Sequence, residues 1–312
     1  MMLTYYVRHT EDLNIDEHTR NRLWNEEKIA IHYPRDKSGN FPKRPDSRDL
    51  GPAHYSGKAA GAIRALRELA SEGGYVCAEY AHESKCLLGY ISPKSQVNFL
   101  EGKWSDKGEY KGRKAILKCL NLRKVKALRS ADLAIILVGR PRMGTIARWS
   151  KAKDAIKNIV EGIQLEPSLD LLFPYQQEIM CSEFLRSRAA EELGLPRLAH
   201  LLLPVGRTVK DFDICGITDS GTKVFVQVTH HSISDSESAE KLALLRPYGD
   251  GGKNQLIFVC QCDEEKTQNG VTIVPLDKVY ERFAQTDAGH LWIRSATELL
   301  SVRADASERA GR

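Results

Sequence analysis

A chain of 312 residues with 42% hydrophobic and 28% charged side chains has material for two ordinary domains and the composition of a soluble globular protein. No apolar run approaches the roughly 20 residues that cross a bilayer, and the opening MMLTYYVRHTEDLN puts acidic residues where a signal peptide carries its apolar stretch, which points to a cytoplasmic protein. The net charge of +5 divides unevenly, because residues 1–150 hold 27 Lys and Arg against 17 Asp and Glu, and the rest holds 19 against 24. A front half at +10 beside a back half at −5 suggests that the front half meets a polyanion. The seven cysteines are odd in number, scattered and set in apolar runs, so buried reduced thiols fit them better than disulfides or a zinc site.

In chain order, short apolar or alternating runs predict strands at Leu3–Val7, Ile29–Tyr33, Tyr75–Tyr80, Cys86–Ile91, Ala115–Leu120, Leu133–Val138 and Gly144–Trp149. Ala59–Ser71 is an amphipathic helix, Ala81–Lys85 a hairpin connection, and Ser150–Gly162 a helix that closes the first domain at 1–163. Within that domain Lys103, Lys114, Arg123 and Lys124 belong to a basic stretch that also holds Trp104 and Tyr110. Basic side chains bind phosphate and aromatic rings stack on bases, so this stretch is a candidate nucleic-acid surface. Gly139–Trp149 adds Arg140, Arg142 and Arg148 around a Gly/Pro turn, and Trp24, Trp104 and Trp149 are candidates for contact with bases, although a Trp in a mixed domain is more often core.

Residues 164–172 read as a linker, with Pro167 and Ser168 as helix-start signals. The second domain, 173–300, opens with a helix over Tyr175–Leu193, then strands at Leu198–Pro204, Asp211–Ile217 and Lys223–Thr229. A helix at Ser236–Leu245, strands at Asn254–Cys260 and Val271–Pro275, and a helix at Leu276–Ala284 complete it, and 301–312 is a frayed tail. Alternate residues of a strand share one face, so Gln227 and Thr229 point together toward Asp213. No Walker loop, G-x-G-x-x-G or G-x-S-x-G is present.

The helix PYQQEIMCSEFLRSRAAEELG, the strand KDFDICGI and the strand VFVQVT resemble the Mrr-like branch of the PD-(D/E)xK nuclease superfamily over residues 173–285. The resemblance implies an α/β (α+β) fold, with a restriction-endonuclease-like core in which helices flank a mixed sheet. It also implies Mg²⁺ or Mn²⁺ held by Glu178, Asp213 and Gln227, and hydrolysis of DNA phosphodiesters by a homodimer in restriction or phage defence. Glu183 competes with Glu178, which is preferred because Cys181, Phe184 and Leu185 follow it as a buried stripe. The family carries Lys where this chain has Thr229, and Lys241, Lys210 or Lys223 would have to replace it, with Lys241 favoured. His230 or His231 could act on water or phosphate, though only one of two adjacent strand residues faces the site. The front half is similar in pattern to the PUA-like group of small barrels that includes EVE domains, which implies a reader of DNA, modified or not. The rival readings are a non-catalytic nucleic-acid-binding protein that keeps the nuclease fold, and an effector nuclease whose front domain senses a small ligand.

Overall fold

The computed structural model describes residues 3–9, 13–35, 44, 46–81, 83–202 and 211–300. They form two compact units, Met1–Gln164 and Leu165–Arg312. No helix among the described residues is long and apolar enough to cross a membrane. All seven cysteines are free thiols, six of them buried.

The first unit is built on a five-stranded sheet. Strands β1 (Leu3–His9), β3 (Gly74–Tyr80), β4 (Lys85–Ile91), β7 (Arg123–Arg129) and β8 (Ile146–Arg148) lie in the order β7-β4-β3-β1-β8. β1 and β3 are parallel, which requires a long crossover. That crossover contains helix α1 (Glu17–Asn25), strand β2 (Lys28–Ile31) and helix α2 (Gly57–Glu72). Ile63, Leu66 and Leu69 recur at helical spacing on α2 and are all fully buried. They share one core with Tyr5, Val7 and Val76 of this sheet and with Ile29, Ile31 and Leu117 of a second one. The second sheet is antiparallel, β2-β6-β5, with β5 at Asn98–Lys103 and β6 at Lys114–Asn121. Helix α2 stops at Gly73, where φ is +71° and a Cβ would lie 2.7 Å from the Ile91 carbonyl, so only glycine fits. Helix α4 (Lys153–Glu161) packs on β3, β4 and β7. One apolar run departs from expectation: Leu133–Val138 forms a helical turn, α3 (Ala134–Leu137), rather than a strand. A short apolar run has no period long enough to separate the two outcomes.

Within the second unit the order helix, three strands, helix, strand is embedded in a longer series, with a short second helix after the first and two further strands and two helices at the end. Its elements are α5 (Pro174–Arg186), α6 (Ala189–Glu192), β9 (His200–Leu201), β10 (Ile214–Ile217), β11 (Lys223–Ser232), α7 (Ser236–Leu245), β12 (Gln255–Gln261), β13 (Lys266–Gln268), β14 (Val271–Pro275), α8 (Leu276–Ala284) and α9 (Asp287–Thr297). The sheet order is β13-β14-β12-β11-β10-β9, with β11, β12 and β14 parallel and the remaining pairs antiparallel. Side chains of β11 alternate between two cores. Val224, Val226 and Val228 join Met180, Cys181 and Phe184 of α5, while Phe225 joins Leu242 and Leu245 of α7.

Several boundaries differ from the sequence reading. The helix expected over Tyr175–Leu193 breaks after Arg186, where the Ser187 hydroxyl donates to the Phe184 carbonyl at 2.6 Å in competition with the helix ladder. Residues 165–172 of the expected 164–172 linker belong to the second unit, since Leu172 is in its core and Leu165 N–H donates to the Leu300 carbonyl at 2.9 Å. The strand expected over Leu198–Pro204 is shorter, at His200–Leu201, and residues 203–210 and the tail 301–312 lie outside the described residues.

Candidate active site

β10 and β11 are joined by the tight turn Thr218–Thr222, in which Thr218 N–H donates to the Thr222 carbonyl at 3.0 Å and Gly221 takes φ +82°. The ladder places Ile214 opposite Val226, and Asp213 precedes β10 by one residue. Asp213 N–H still donates to the Val226 carbonyl at 2.9 Å, but beyond this point the carboxylate replaces the backbone as acceptor. One oxygen of Asp213 accepts from Val228 N–H at 2.8 Å and from the Gln227 amide nitrogen. That nitrogen also reaches the Val228 carbonyl at 3.3 Å, so two acceptors fix the amide's orientation. Gln227 Oε1 is then buried with no hydrogen-bond partner. A buried acceptor left in this state costs about 1–3 kcal/mol, and it marks a place where a donor or a cation fits.

Burial raises the Asp213 carboxyl above the usual aspartate value, against the opposing pull of the Val228 N–H, the Lys241 charge and the Gln227 amide. Lys241 therefore acts on Asp213 from α7. Its amine lies 3.4 Å from the Thr229 hydroxyl and 3.4 Å from Glu237 Oε1, one turn earlier on the same helix. Thr229 is 3% exposed, so the cation comes to the strand position where the sequence has none. Lys223 cannot do this, because it opens β11 six residues before Thr229, about 20 Å away along a strand. Lys210 lies outside the described residues.

Of the two glutamates on α5, Glu178 shares with Asp213 an electrostatic effect on one buried thiol. The Cys181 thiol is pushed up by burial, then by the charges of Asp213 and Glu178, so both carboxylates lie around it. Glu183 is half-exposed and faces Arg186 at 3.5 Å. The start of α5 is fixed by Gln176, which accepts from Phe173 N–H at 2.8 Å and donates to the Ala296 carbonyl at 3.2 Å. Among the described residues no group of three or more His, Cys, Asp or Glu forms a metal cage. The oxygen donors on hand for a hard cation are the Asp213 carboxylate and the orphaned Gln227 Oε1.

The histidines separate. His230 is exposed, its ring 4.2 Å from that of His231. His231 contacts α7, with Nε2 3.0 Å from Glu237 and Nδ1 3.7 Å from Asp235. Glu237 thus stands between His231 and Lys241. The sequence reading did not single it out, and its signal was the i, i+4 spacing to Lys241. Asp211 is occupied by the Tyr248 hydroxyl at 2.8 Å.

In the first unit the aromatic candidates sit inside. Trp104 is 5% and Trp149 3% exposed, and Trp24 packs edge-on to Tyr80 at 5.2 Å. Trp104 stacks with His32 and Tyr110, and Trp149 donates to the Gly139 carbonyl at 3.0 Å. Trp104 and Trp149, two of the candidates for contact with bases, lie in the core, which their large apolar rings fill. Several basic candidates already have acidic neighbours: Lys114 with Glu101 at 2.9 Å, Lys124 with Glu161, Arg148 with Glu68, and Arg140 with Glu79 at 3.9 Å. Lys103, Arg123 and Arg142 stand exposed. Lys103 and Lys114 line a cavity of about 440 Å³ with Arg22, His18, Asp16 and Glu101. Lys118 escaped the sequence reading because it lies inside the apolar run AILKCL. It is fully buried, its amine donates to the Ser47 carbonyl at 2.8 Å, and burial depresses its pKa to about 8 against the pull of Asp49.

Comparison of the chain with protein-family models, with curated proteins and with solved structures finds no match.

Proposed function

We propose that the second unit hydrolyses phosphodiester bonds of DNA with Mg²⁺ or Mn²⁺, and that the basic first unit binds the DNA. The observation that carries this reading is the convergence of the Asp213 carboxylate, the unpartnered Gln227 Oε1 and the Lys241 amine at the open end of the β10–β11 ladder. The element order, helix, three strands, helix, strand, supports likeness to the PD-(D/E)xK core and its Mrr-like branch. A restriction or phage-defence role, in the cytoplasm and as a homodimer, follows from that likeness.

In this reading Asp213 and Gln227 Oε1 would hold the cation, and the family likeness would add Glu178 of α5 as a third ligand. The chemistry such a divalent cation would supply when bound is polarisation of the scissile phosphate and a lowered pKa for its water. The chain's residues do the rest. Lys241, held by Thr229 and Glu237, stabilises negative charge that develops on a phosphate oxygen. The Val228 N–H and the Gln227 amide hold the Asp213 carboxylate in one orientation. His231, tied to Glu237, keeps the Lys241 partner in place.

The competing reading is a DNA-binding protein that keeps this architecture without cutting. It is favoured by Glu237, which draws on the Lys241 amine that catalysis would need. Supercoiled plasmid, modified and unmodified, incubated with Mg²⁺ or Mn²⁺ separates the two. Nicking that is lost in Asp213→Ala and reduced at least about 100-fold in Lys241→Ala, the scale of one charge-stabilising donor, supports the nuclease. Full-rate nicking by Asp213→Ala means the site is elsewhere.

A further inference from the structure

The two most exposed large apolar side chains of the described residues are Met143 at 76% and Val138 at 71%, Val138 at the end of α3 and Met143 in the loop that follows it in the first unit. Single exposed apolar residues are ordinary. A pair presented by an anchored loop is different, because the anchoring removes the freedom to tuck them away. Four hydrogen bonds fix this loop. Arg8 donates to the Pro141 carbonyl at 2.8 Å and to the Arg142 carbonyl at 3.1 Å. The Trp149 indole N–H donates to the Gly139 carbonyl at 3.0 Å from within the core. At the far end Arg8 N–H donates to the Thr145 carbonyl at 2.8 Å, while Gly144 makes the turn with φ +91°. Pro141 restricts the backbone further.

Charge flanks the apolar pair. Arg140 and Arg142 are exposed on either side of Pro141, and with Arg8 they line a cavity of about 460 Å³ floored by Leu137 and Glu79. Glu79 is engaged by the Tyr6 hydroxyl and lies 3.9 Å from Arg140, so the three guanidiniums exceed the one carboxylate. A rigid loop that offers apolar tips between arginines fits one occupant well. Minor-groove-binding proteins insert such wedges between base steps while arginine follows the narrowed groove and its phosphates. A membrane surface fits less well, since the adjoining helix α3 has only 4 residues and gives no extended apolar face.

We propose that Val138 and Met143 are a wedge that enters a DNA base step, with Arg140 and Arg142 holding the flanking backbone. This rests on the reading that the first unit binds DNA.

The test uses the full-length chain and 2-aminopurine-containing duplex DNA, with affinity measured by anisotropy on the same duplex. Binding should raise 2-aminopurine emission several-fold as the probe unstacks. The double variant Val138→Ser/Met143→Ser should lose that rise, while Met143→Leu, which keeps an apolar tip, should retain it. Arg140→Ala/Arg142→Ala should weaken binding about tenfold at moderate salt. Tight binding with no rise in emission overturns the wedge and leaves the DNA reading standing. A rise that survives in the double serine variant also overturns it. Absence of DNA binding, or loop-dependent binding to anionic phosphatidylserine vesicles instead, removes both the wedge and the DNA reading of this loop.

Discussion

Burial holds the Asp213 carboxyl above its usual pKa even though a backbone N–H, an amide and the Lys241 charge all favour the ionised form. A folded-state pKa above the unfolded one means that the native state binds this proton more tightly. The associated stability is present below the unfolded value and is lost as pH rises through the folded one. Ionising this carboxyl is therefore a net burden on the fold, and a divalent cation would relieve it. Asp213→Asn should raise the melting temperature slightly in metal-free buffer. Mn²⁺ at about 100 times its dissociation constant should stabilise the wild type by about 2.7 kcal/mol and leave the variant unmoved, as read by thermal melts with and without metal. Equal metal shifts in both proteins would show that the cation is bound elsewhere. Lys118 has the opposite arrangement: burial lowers its pKa from 10.5 to about 8. Above about pH 8 the native state has released this proton while the unfolded state keeps it to about 10.5. Stability from this group therefore grows with pH across that window, by roughly 3 kcal/mol at 1.36 kcal/mol per pKa unit. The difference in denaturant stability between the wild type and Lys118→Met should change by about that amount between pH 8 and 10.5. A constant difference would mean that Lys118 is not buried as described.

At the scale of elements, much of the second unit was legible because its strands and helices carry strong periods. The spans Ser236–Leu245, Val271–Pro275 and Leu276–Ala284 coincide with α7, β14 and α8. Asp213, Gln227 and Thr229 were legible as a set because strand alternation puts residues two apart on one face. Lys241 is favoured among three lysines because the helix after β11 packs over the site in the PD-(D/E)xK core, and packing of α7 against β11 brings its amine to Thr229. What the sequence hid was set by tertiary contact. α1 and β7 are rich in charge and carry little apolar period, so they form because neighbouring strands and loops accept them. α9 depends on a junction that no period reveals. Thr286 accepts from Gly289 N–H at 2.9 Å and donates to the Phe283 carbonyl at 2.8 Å. A Cβ on Gly289 would lie 1.9 Å from that carbonyl oxygen. Gly289→Ala should thus push α9 off α8 and cost about 1–3 kcal/mol, the range for forced overpacking. The measurement is the urea midpoint of the second unit's transition, and an unchanged midpoint would mean that the junction is looser than this geometry.

Over the whole molecule the division of charge matches the division into units. The boundary at Gln164 falls close to where the sequence turns from basic to acidic. Local neutralisation complicates the simple picture of a basic surface, since Lys114, Lys124 and Arg148 have carboxylate neighbours. Such exposed pairs are weak and screened by salt, so a phosphate can compete for the cation. Counterion release then makes the affinity for duplex DNA fall steeply with salt, with a slope of about −4.5 in log K against log salt for roughly five phosphates neutralised. Each unit has its own buried core, so residues 1–164 can be measured alone. That fragment should show the same slope as the full chain, because the second unit carries net negative charge and adds no counterion release. The measurement is anisotropy of a labelled duplex between 50 and 300 mM KCl. A slope near zero for the fragment would make the basic face a solvated surface, and a steep slope found only with the full chain would move the DNA contact to the second unit.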